Sequence, residues 1–242
     1  MPLDAKWKQT VDMGIADKAW DEYDALIQAE VDAYQKKFAG TPGFIALDWK
    51  LFKAMVWVES GGPSNASWKT RPLQIGNPGD PGYGVLKDGK EAAPLIMLDK
   101  LKQDIKTGDI NKPELNIRAG IAYALTRLVT SDMKSVDDPK NSKVYDYTVV
   151  AGDNFSKIAK DLDTTVESLQ KQNPTAHVLK VGQKIKYRKA SIQRVITGWS
   201  AISTTSLATR YNSGDPDYKE KLEYVLALFP KLVRAAPVAP SK

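Results

Sequence analysis

Apolar residues recur at three- and four-residue steps in five stretches of the chain, and each stretch predicts a helix. Trp20, Tyr23, Ile27, Val31, Tyr34 and Phe38 share one face over 17–39. Asp17 is placed to cap that helix, and Gly40-Thr41-Pro42-Gly43 ends it. Leu47, Leu51, Met55 and Val58 place a second helix that stops at Gly61-Gly62-Pro63. A third covers 91–106, with Leu95, Leu98, Leu101 and Ile105 in register. A fourth covers 113–130, opened by Asn111 and Pro113, with Ile117, Ile121, Leu125 and Leu128 on its apolar face. The last covers 216–229, opened by Asp215-Pro216 and carrying Leu222, Val225, Leu226 and Phe229. Residues 64–89 are rich in Gly, Pro, Asn and Asp and predict a long loop system of the kind that carries function. The tail over 234–242 has no periodicity and predicts no ordered element.

The texture changes between the last two helices. Residues 131–144 are polar and linker-like, and a compact pattern follows. Tyr147–Val150 is a short β-rich run, 155–162 and 165–172 are short helical patterns, and Gln183–Tyr187 alternates like a strand. A strand, two helices and a strand make a self-contained module, with eight basic residues against five acidic.

Composition narrows the chemistry. The 242 residues are 42% hydrophobic and 26% charged, an ordinary globular balance long enough for one large domain or two small ones. With no cysteine, a disulfide scaffold, a Cys-ligated metal and thiol catalysis are excluded. His177 is the single histidine, so neither a Ser-His-Asp triad nor a His-rich metal site is expected, and no cofactor is implied. The chemistry falls to carboxylates. Net charge is +6, yet the first forty residues hold five basic against eight acidic, so the positive excess lies downstream. Such an excess suits an anionic polymer, either nucleic acid or cell wall. No basic run, RNP-type motif or zinc finger points to nucleic acid, and no partner of that kind is expected. No apolar core follows a basic start, so no signal peptide is expected, and no run of eighteen apolar residues predicts a membrane span. Gly79–Gly84 lacks the Lys-Ser/Thr ending and preceding strand of a phosphate loop.

The module resembles a LysM domain through Tyr147-Thr148-Val149, Gly152-Asp153-Asn154-Phe155, Ile158-Ala159, Thr165, Leu169, Asn173-Pro174, Leu179 and Val181-Gly182-Gln183. Asn154 and Phe155 stand where Thr and Leu are usual. The resemblance implies a βααβ fold over 145–189 that binds glycan strands of peptidoglycan or chitin. The groove it implies lies between Gly152–Phe155 and Asn173–Leu179. Gly152 and Asp153 can equally serve as a turn and a cap, and His177 reads as an exposed loop residue.

The flanking segments resemble the lysozyme-like soluble lytic transglycosylases and goose-type lysozymes. Val58-Glu59-Ser60-Gly61-Gly62 is similar to their Glu-Ser motif, and Pro72-Leu73-Gln74-Ile75 to Gly-Leu-Met-Gln, with Pro72 and Leu73 departing. Asn116-Ile117, Gly120 and Tyr123 follow their helix pattern, Tyr211-Asn212-Ser213-Gly214 resembles Ala-Tyr-Asn-Ala-Gly, and Trp199 stands upstream. The implied architecture is a mainly α catalytic domain over 1–133 and 192–242. The small α+β module at 145–189 is inserted into it, with linkers at 134–144 and 190–191.

The implied activity is cleavage of the β-1,4 bond between N-acetylmuramic acid and N-acetylglucosamine. Glu59 would be general acid and then base, its pKa raised by an apolar setting and by the helix C-terminus. Tyr211 would hydrogen-bond Glu59, and Ser60, Gln74, Asn116, Tyr123 and Asn212 would bind substrate. Asp80 and Asp88 are candidates for a second, water-positioning carboxylate, although loop aspartates more often form turns. Lyase and hydrolase therefore stay open. Trp68 and Tyr83 can stack on sugars or simply pack. The implied setting is the cell wall of a target or host cell, reached through a secretion machine or a phage lysis system. An antibacterial effector, with a secretion component or an immunity protein as partner, and a phage lysis enzyme both fit. The competing reading is a non-catalytic wall-binding protein.

Overall fold

The computed structural model describes residues 2–233, so the tail expectation for 234–242 lies outside the described residues. The chain divides into two compact units, Met1–Thr130 with Ile196–Lys242, and Ser131–Val195.

The first unit is α-helical. Its helices are α1 (Ala5–Asp12), α2 (Asp24–Phe38), α3 (Trp49–Ser60), α4 (Ala66–Thr70), α5 (Pro81–Lys87), α6 (Ala93–Ile96), α7 (Asp99–Thr107) and α8 (Pro113–Leu128). Strands β1 (Val129–Asp137) and β2 (Tyr145–Thr148), helices α9 (Phe155–Asp161) and α10 (Val166–Gln172), and strands β3 (Lys184–Tyr187) and β4 (Ala190–Trp199) follow, and α11 (Thr204–Arg210) and α12 (Tyr218–Leu228) return to the first unit. Helix α8 is apolar on nearly every side, from Leu115 to Leu128, and is accordingly buried among α2, α4, α5, α6, α7 and α11. Arg118 of α8 meets Glu30 of α2 at 3.2 Å and Asp104 at 2.7 Å, which ties three helices together. Helix α3 is almost as buried and packs on α2, α4 and α12.

Two periodic stretches and the loop segment differ in detail from the sequence pattern. The 17–39 stretch breaks into a 3₁₀ turn at Lys18–Asp21, capped by Asp17, and α2. The break sets Trp20 edge-on to Trp57 at 4.6 Å and Tyr23 on Trp68 at 5.0 Å. The 91–106 stretch breaks between α6 and α7, where Lys37 Nζ donates to the carbonyls of Ile96 and Met97. The 64–89 segment contains two short helices, α4 and α5. Helices α1 and α11 stand where periodicity indicated none, because each buries a single residue, Val11 and Leu207.

The segments expected as linkers at 134–144 and 190–191 are partly strand. β1 and β4 form a two-stranded sheet, along which the chain leaves the first unit and returns to it. A polar run can do this because a ladder satisfies backbone groups without needing a core. In the second unit β2 and β3 pair antiparallel, with Tyr145 opposite Tyr187 and Thr148 opposite Lys184. Helices α9 and α10 close a small core of Val149, Ile158, Ala159, Leu169 and Ile185.

Candidate functional site

In the first unit, the last turn of α3 carries Glu59 to the wall of a cleft of about 280 Å³. Leu73 to Ile75, Asn77 to Pro81, Tyr123 and Tyr211-Asn212 supply the other walls. α3 stops here because Gly61 takes a left-handed conformation (φ 68°) and returns its N–H to Trp57 O at 3.0 Å. Gly62 (φ 96°) must be glycine on two counts, since a Cβ there would lie 2.1 Å from the Trp20 ring. The residues after Glu59 are thus drawn back into the core, and Glu59 is left at the rim.

Glu59 is part-buried, and removal from water pushes its carboxyl up to about 7. The nearby Asp215 carboxylate acts in the same direction. Hydrogen bonding from Tyr218 and Asn212 and the Lys221 charge oppose the rise, Asn212 Nδ2 standing 3.4 Å from Glu59 Oε1. Asp215 and Lys221 pair with each other at 2.6 Å. The helix C-terminus, expected to contribute, is neutralised by donors: Asn65 Nδ2 reaches Ser60 O at 3.0 Å and Ser67 Oγ reaches it at 2.9 Å.

Several residues expected to touch substrate are instead builders of the cleft. Asn116 is fully buried; its Oδ1 accepts from Leu73 N–H at 2.9 Å, and its Nδ2 donates to Ile75 O at 2.8 Å and Ile110 O at 3.2 Å. It clamps the loop that bears Gln74. One turn on, a Cβ at Gly120 would lie 2.4 Å from Leu73, so only glycine lets that loop seat on α8. Ser60 is buried, its hydroxyl donating to Val56 O within the helix. Tyr211 Oη donates to Leu73 O at 3.1 Å and not to Glu59.

Gln74, Tyr123, Tyr211 and Asn212 do line the cleft, as does Asp80. Gln74 is held at φ 57°, a strained value for a residue with a side chain, with its amide bonded to Arg71 O and Asn77. Both Asp80 oxygens are taken, Oδ2 by Gly76 N–H at 2.7 Å and Oδ1 by Gly82 N–H at 2.9 Å, which makes Asp80 the cap of α5. Asp88 ends α5 outside the cleft, and the Lys90 ammonium at 2.9 Å holds its carboxyl below the usual carboxylate range. Trp68 belongs to the core and donates Nε1–H to Glu22 at 2.6 Å. Tyr83 packs on the core under Lys87 and does not line the cleft.

Sequence reasoning missed Asn77, Pro78 and Pro81, which sit in a turn-rich segment without periodicity, and Tyr218. Tyr218 was readable: it precedes Leu222 and Val225 by four and seven residues, one turn earlier on the same apolar face.

In the second unit, Asp153 Oδ2 accepts from Tyr147 Oη at 2.8 Å and Val150 N–H at 2.9 Å, and Asn154 Oδ1 caps α9 through Lys157 N–H. Gly152 (φ 86°) turns the chain between them. Asn173 is bound on both sides, to Leu169 O and Lys186 O through Nδ2 and to Lys186 N–H through Oδ1, so it fastens α10 to β3. Phe155 and Leu179 pack on the small core, and Pro174 and His177 are exposed. The turn at Gly152 lies beside the one at 180–183, since Val149 and the Gly182-Gln183 backbone exchange hydrogen bonds at 2.8 and 2.9 Å. They expose Val150, Val178 and Val181 to solvent.

Residues 147–187 match the LysM domain family. Comparison with curated proteins and with solved structures gave no match. Among the described residues, no helix is long and apolar enough to cross a membrane.

Proposed function

We propose that the chain is a peptidoglycan-degrading enzyme whose α-helical unit is lysozyme-like and whose LysM domain anchors the glycan. One observation carries this reading: a carboxyl poised near pH 7 lies on the wall of a polar cleft. Breaking a β-1,4 glycosidic bond needs an acid that is still protonated near neutrality to meet the leaving oxygen. Glu59 is about half protonated there, so the same group serves as acid and, once ionised, as base. LysM domains bind peptidoglycan glycan strands, which supports the wall polymer as substrate.

The reaction follows in two steps. Glu59 gives its proton to the glycosidic oxygen as the C1–O bond breaks and oxocarbenium character grows on the N-acetylmuramic acid ring. The Glu59 carboxylate then takes a proton from the attacking hydroxyl. Among the described residues, each carboxylate that could hold a water already has other partners: both Asp80 oxygens accept from backbone amides, Asp215 pairs with Lys221, and Asp88 lies outside the cleft. The ring's own 6-hydroxyl is then the favoured nucleophile, giving a 1,6-anhydro end. Purified walls digested in heavy-oxygen water and read by mass spectrometry test this directly. Unlabelled anhydro muropeptides are expected; label at the new end would make the enzyme a hydrolase, and no new ends would remove the enzymatic reading.

Deletion of 145–189 tests the anchor. β1 and β4 are neighbours in one sheet, so the remaining 138–144 closes them as a hairpin and the first unit keeps its fold. Sedimentation with insoluble walls should show binding weakened by about 10-fold or more, through loss of the linked second site. Cleavage of a short soluble oligosaccharide should stay within about twofold, since the Glu59 cleft lies wholly in the first unit. Unchanged wall binding would assign the LysM domain another task.

A further inference from the structure

The sheet of β1 and β4 has two strands only, and among the described residues no third strand covers either edge. Its ends show which way the backbone of β1 faces. Leu128 O accepts from Ser200 N–H, and Asp138 N–H donates to Lys189 O, so Leu128 and Asp138 both turn toward the returning strand. They lie an even number of residues apart, and in the alternation of an antiparallel pair the even positions between them turn the same way. Ser131, Met133 and Ser135 therefore hold their N–H and C=O outward. Met133 agrees with this, since its N–H goes to the Asp132 side chain at 2.8 Å. Asp132, Met133 and Lys134 are all exposed. An open edge of this kind is a template for another strand.

We propose that the outer edge of β1 pairs antiparallel with the same edge of a second copy of the chain, about a two-fold axis through Met133. This axis sets Met133 opposite the partner's Met133 and Ser131 opposite the partner's Ser135, so the outward N–H and C=O groups over 131–135 meet counterparts. It also sets Asp132 opposite the partner's Lys134, and Lys134 opposite the partner's Asp132. The charges select this register over its neighbours. An axis through Asp132 or Lys134 opposes like charges and aims backbone groups that already face β4. An axis through Ser131 leaves both charges opposite uncharged residues, and one through Ser135 sets Asp132 against the partner's Asp138. The proposal rests on neither the Glu59 cleft nor its chemistry.

The side chains fit the same arrangement. Arg194 Nη1 donates to Ser131 Oγ at 3.2 Å, so these two residues share one face of the ribbon. Met133 and Ile192 each lie two residues away and share that face, Met133 51% and Ile192 54% exposed. On the axis the two Met133 side chains stand side by side, and apolar surface leaves water at the contact. A lysine on a sheet edge more often keeps copies apart. Lys134 alone would do so, but Asp132, two residues back on the same face, turns the repulsion into two ion pairs. The dimer carries two LysM domains, so a polymeric glycan can be held at two points at once.

Sedimentation equilibrium of the full chain at rising concentration should show a passage from one chain to two. Lys134→Asp sets like charges opposite each other at both pairs, and so does Asp132→Lys; each alone should weaken association by about 10-fold or more. Mixed in equal amounts, the two variants restore opposite charges at both pairs, and the mixture should associate as wild type does. The chain has no cysteine, so Met133→Cys reads the register. Two thiols on the axis should close a disulfide between copies under mild oxidation, whereas Ser131→Cys should do so only when mixed with Ser135→Cys. Binding to insoluble walls should fall in each charge variant and return in the mixture. A chain that stays single at every concentration overturns the proposal, as does a mixture that associates no better than either variant alone. Ready cross-linking of Ser131→Cys by itself overturns the register, and wall binding that does not return in an associated mixture overturns the two-point hold.

Discussion

Glu59→Gln is expected to lower wall cleavage by about 10³-fold or more and, in the same molecule, to raise stability above pH 7. The loss follows from removing the group that gives and takes the proton at both steps. The gain follows from linkage. Burial lifts the Glu59 carboxyl from 4.5 to about 7 in the folded chain. Between those values the native state binds a proton that the unfolded state does not, so stability falls as pH rises through that window. Above it the full cost of the ionised form is present, about 3 kcal/mol. Glutamine keeps the shape and the contacts to Asn212 and Tyr218 without that cost. Urea unfolding of both proteins at pH 4 and pH 8 reads the difference, and turbidity clearing of purified walls reads the activity. Equal stability at pH 8 would show that Glu59 ionises freely. Clearing near the wild-type rate would show that another group is the acid.

Asn116→Ala should be among the most costly single substitutions in the chain, about 3–5 kcal/mol, although Asn116 touches no part of the cleft surface. Its amide is the partner of three backbone groups, Leu73 N–H, Ile75 O and Ile110 O, in a place water does not reach. Alanine leaves all three unpaired, at about 1–3 kcal/mol for each buried group, less what the site recovers by shifting. That shift is the functional cost. The loop between Leu73 and Ile75 carries Gln74 at its strained φ and accepts the Tyr211 hydroxyl, so its release misplaces one wall of the cleft. Where the variant is still folded, cleavage should fall by about 10²-fold. Asn116→Asp keeps the acceptor for Leu73 but sets carboxylate oxygen against two carbonyls, and should be no milder. A change under about 1 kcal/mol in urea unfolding, or full activity, would show that the loop holds itself in place without this clamp.

The elements with strong periodicity were legible because their packing is simple. Helices α3, α8 and α12 present apolar residues that meet one core, and the spacing alone places them. The module at 147–187 was legible for a different reason, since its turns need particular residues: Gly152 for a positive φ, Asn154 to cap, Asn173 to bind both backbone groups of Lys186. What the pattern did not show were the interruptions. Trp20 and Tyr23 lie at helical spacing, yet they belong to a 3₁₀ turn and its exit, because docking on Trp57 and Trp68 outweighs continuing one helix. β1 and β4 were too polar to register as strands, since strand pairing draws on backbone groups that every residue carries.

For the cleft itself, residue types named the candidates and only the fold assigned their tasks. Glu59 at the end of an apolar helix, before two glycines, reads by itself as a solvated helix end, and the resemblance carried by Gln74, Asn116 and Tyr211-Asn212 is what singled it out as a carboxyl with a raised pKa. Whether Asn116, Ser60, Tyr211 and Asp80 reach a ligand or hold the backbone depends on contacts between residues up to 138 apart in the chain. No local spacing encodes such contacts. The same holds for Tyr218, which one more turn of periodicity places on the inner face of α12 but which only the packing of α12 on α3 brings to Glu59. Local sequence sets which side chains an element presents and where the chain must turn. Burial, and with it the pKa of Glu59 and the direction of every hydroxyl around it, is a property of the assembled core, because desolvation is the joint effect of all the groups that exclude water.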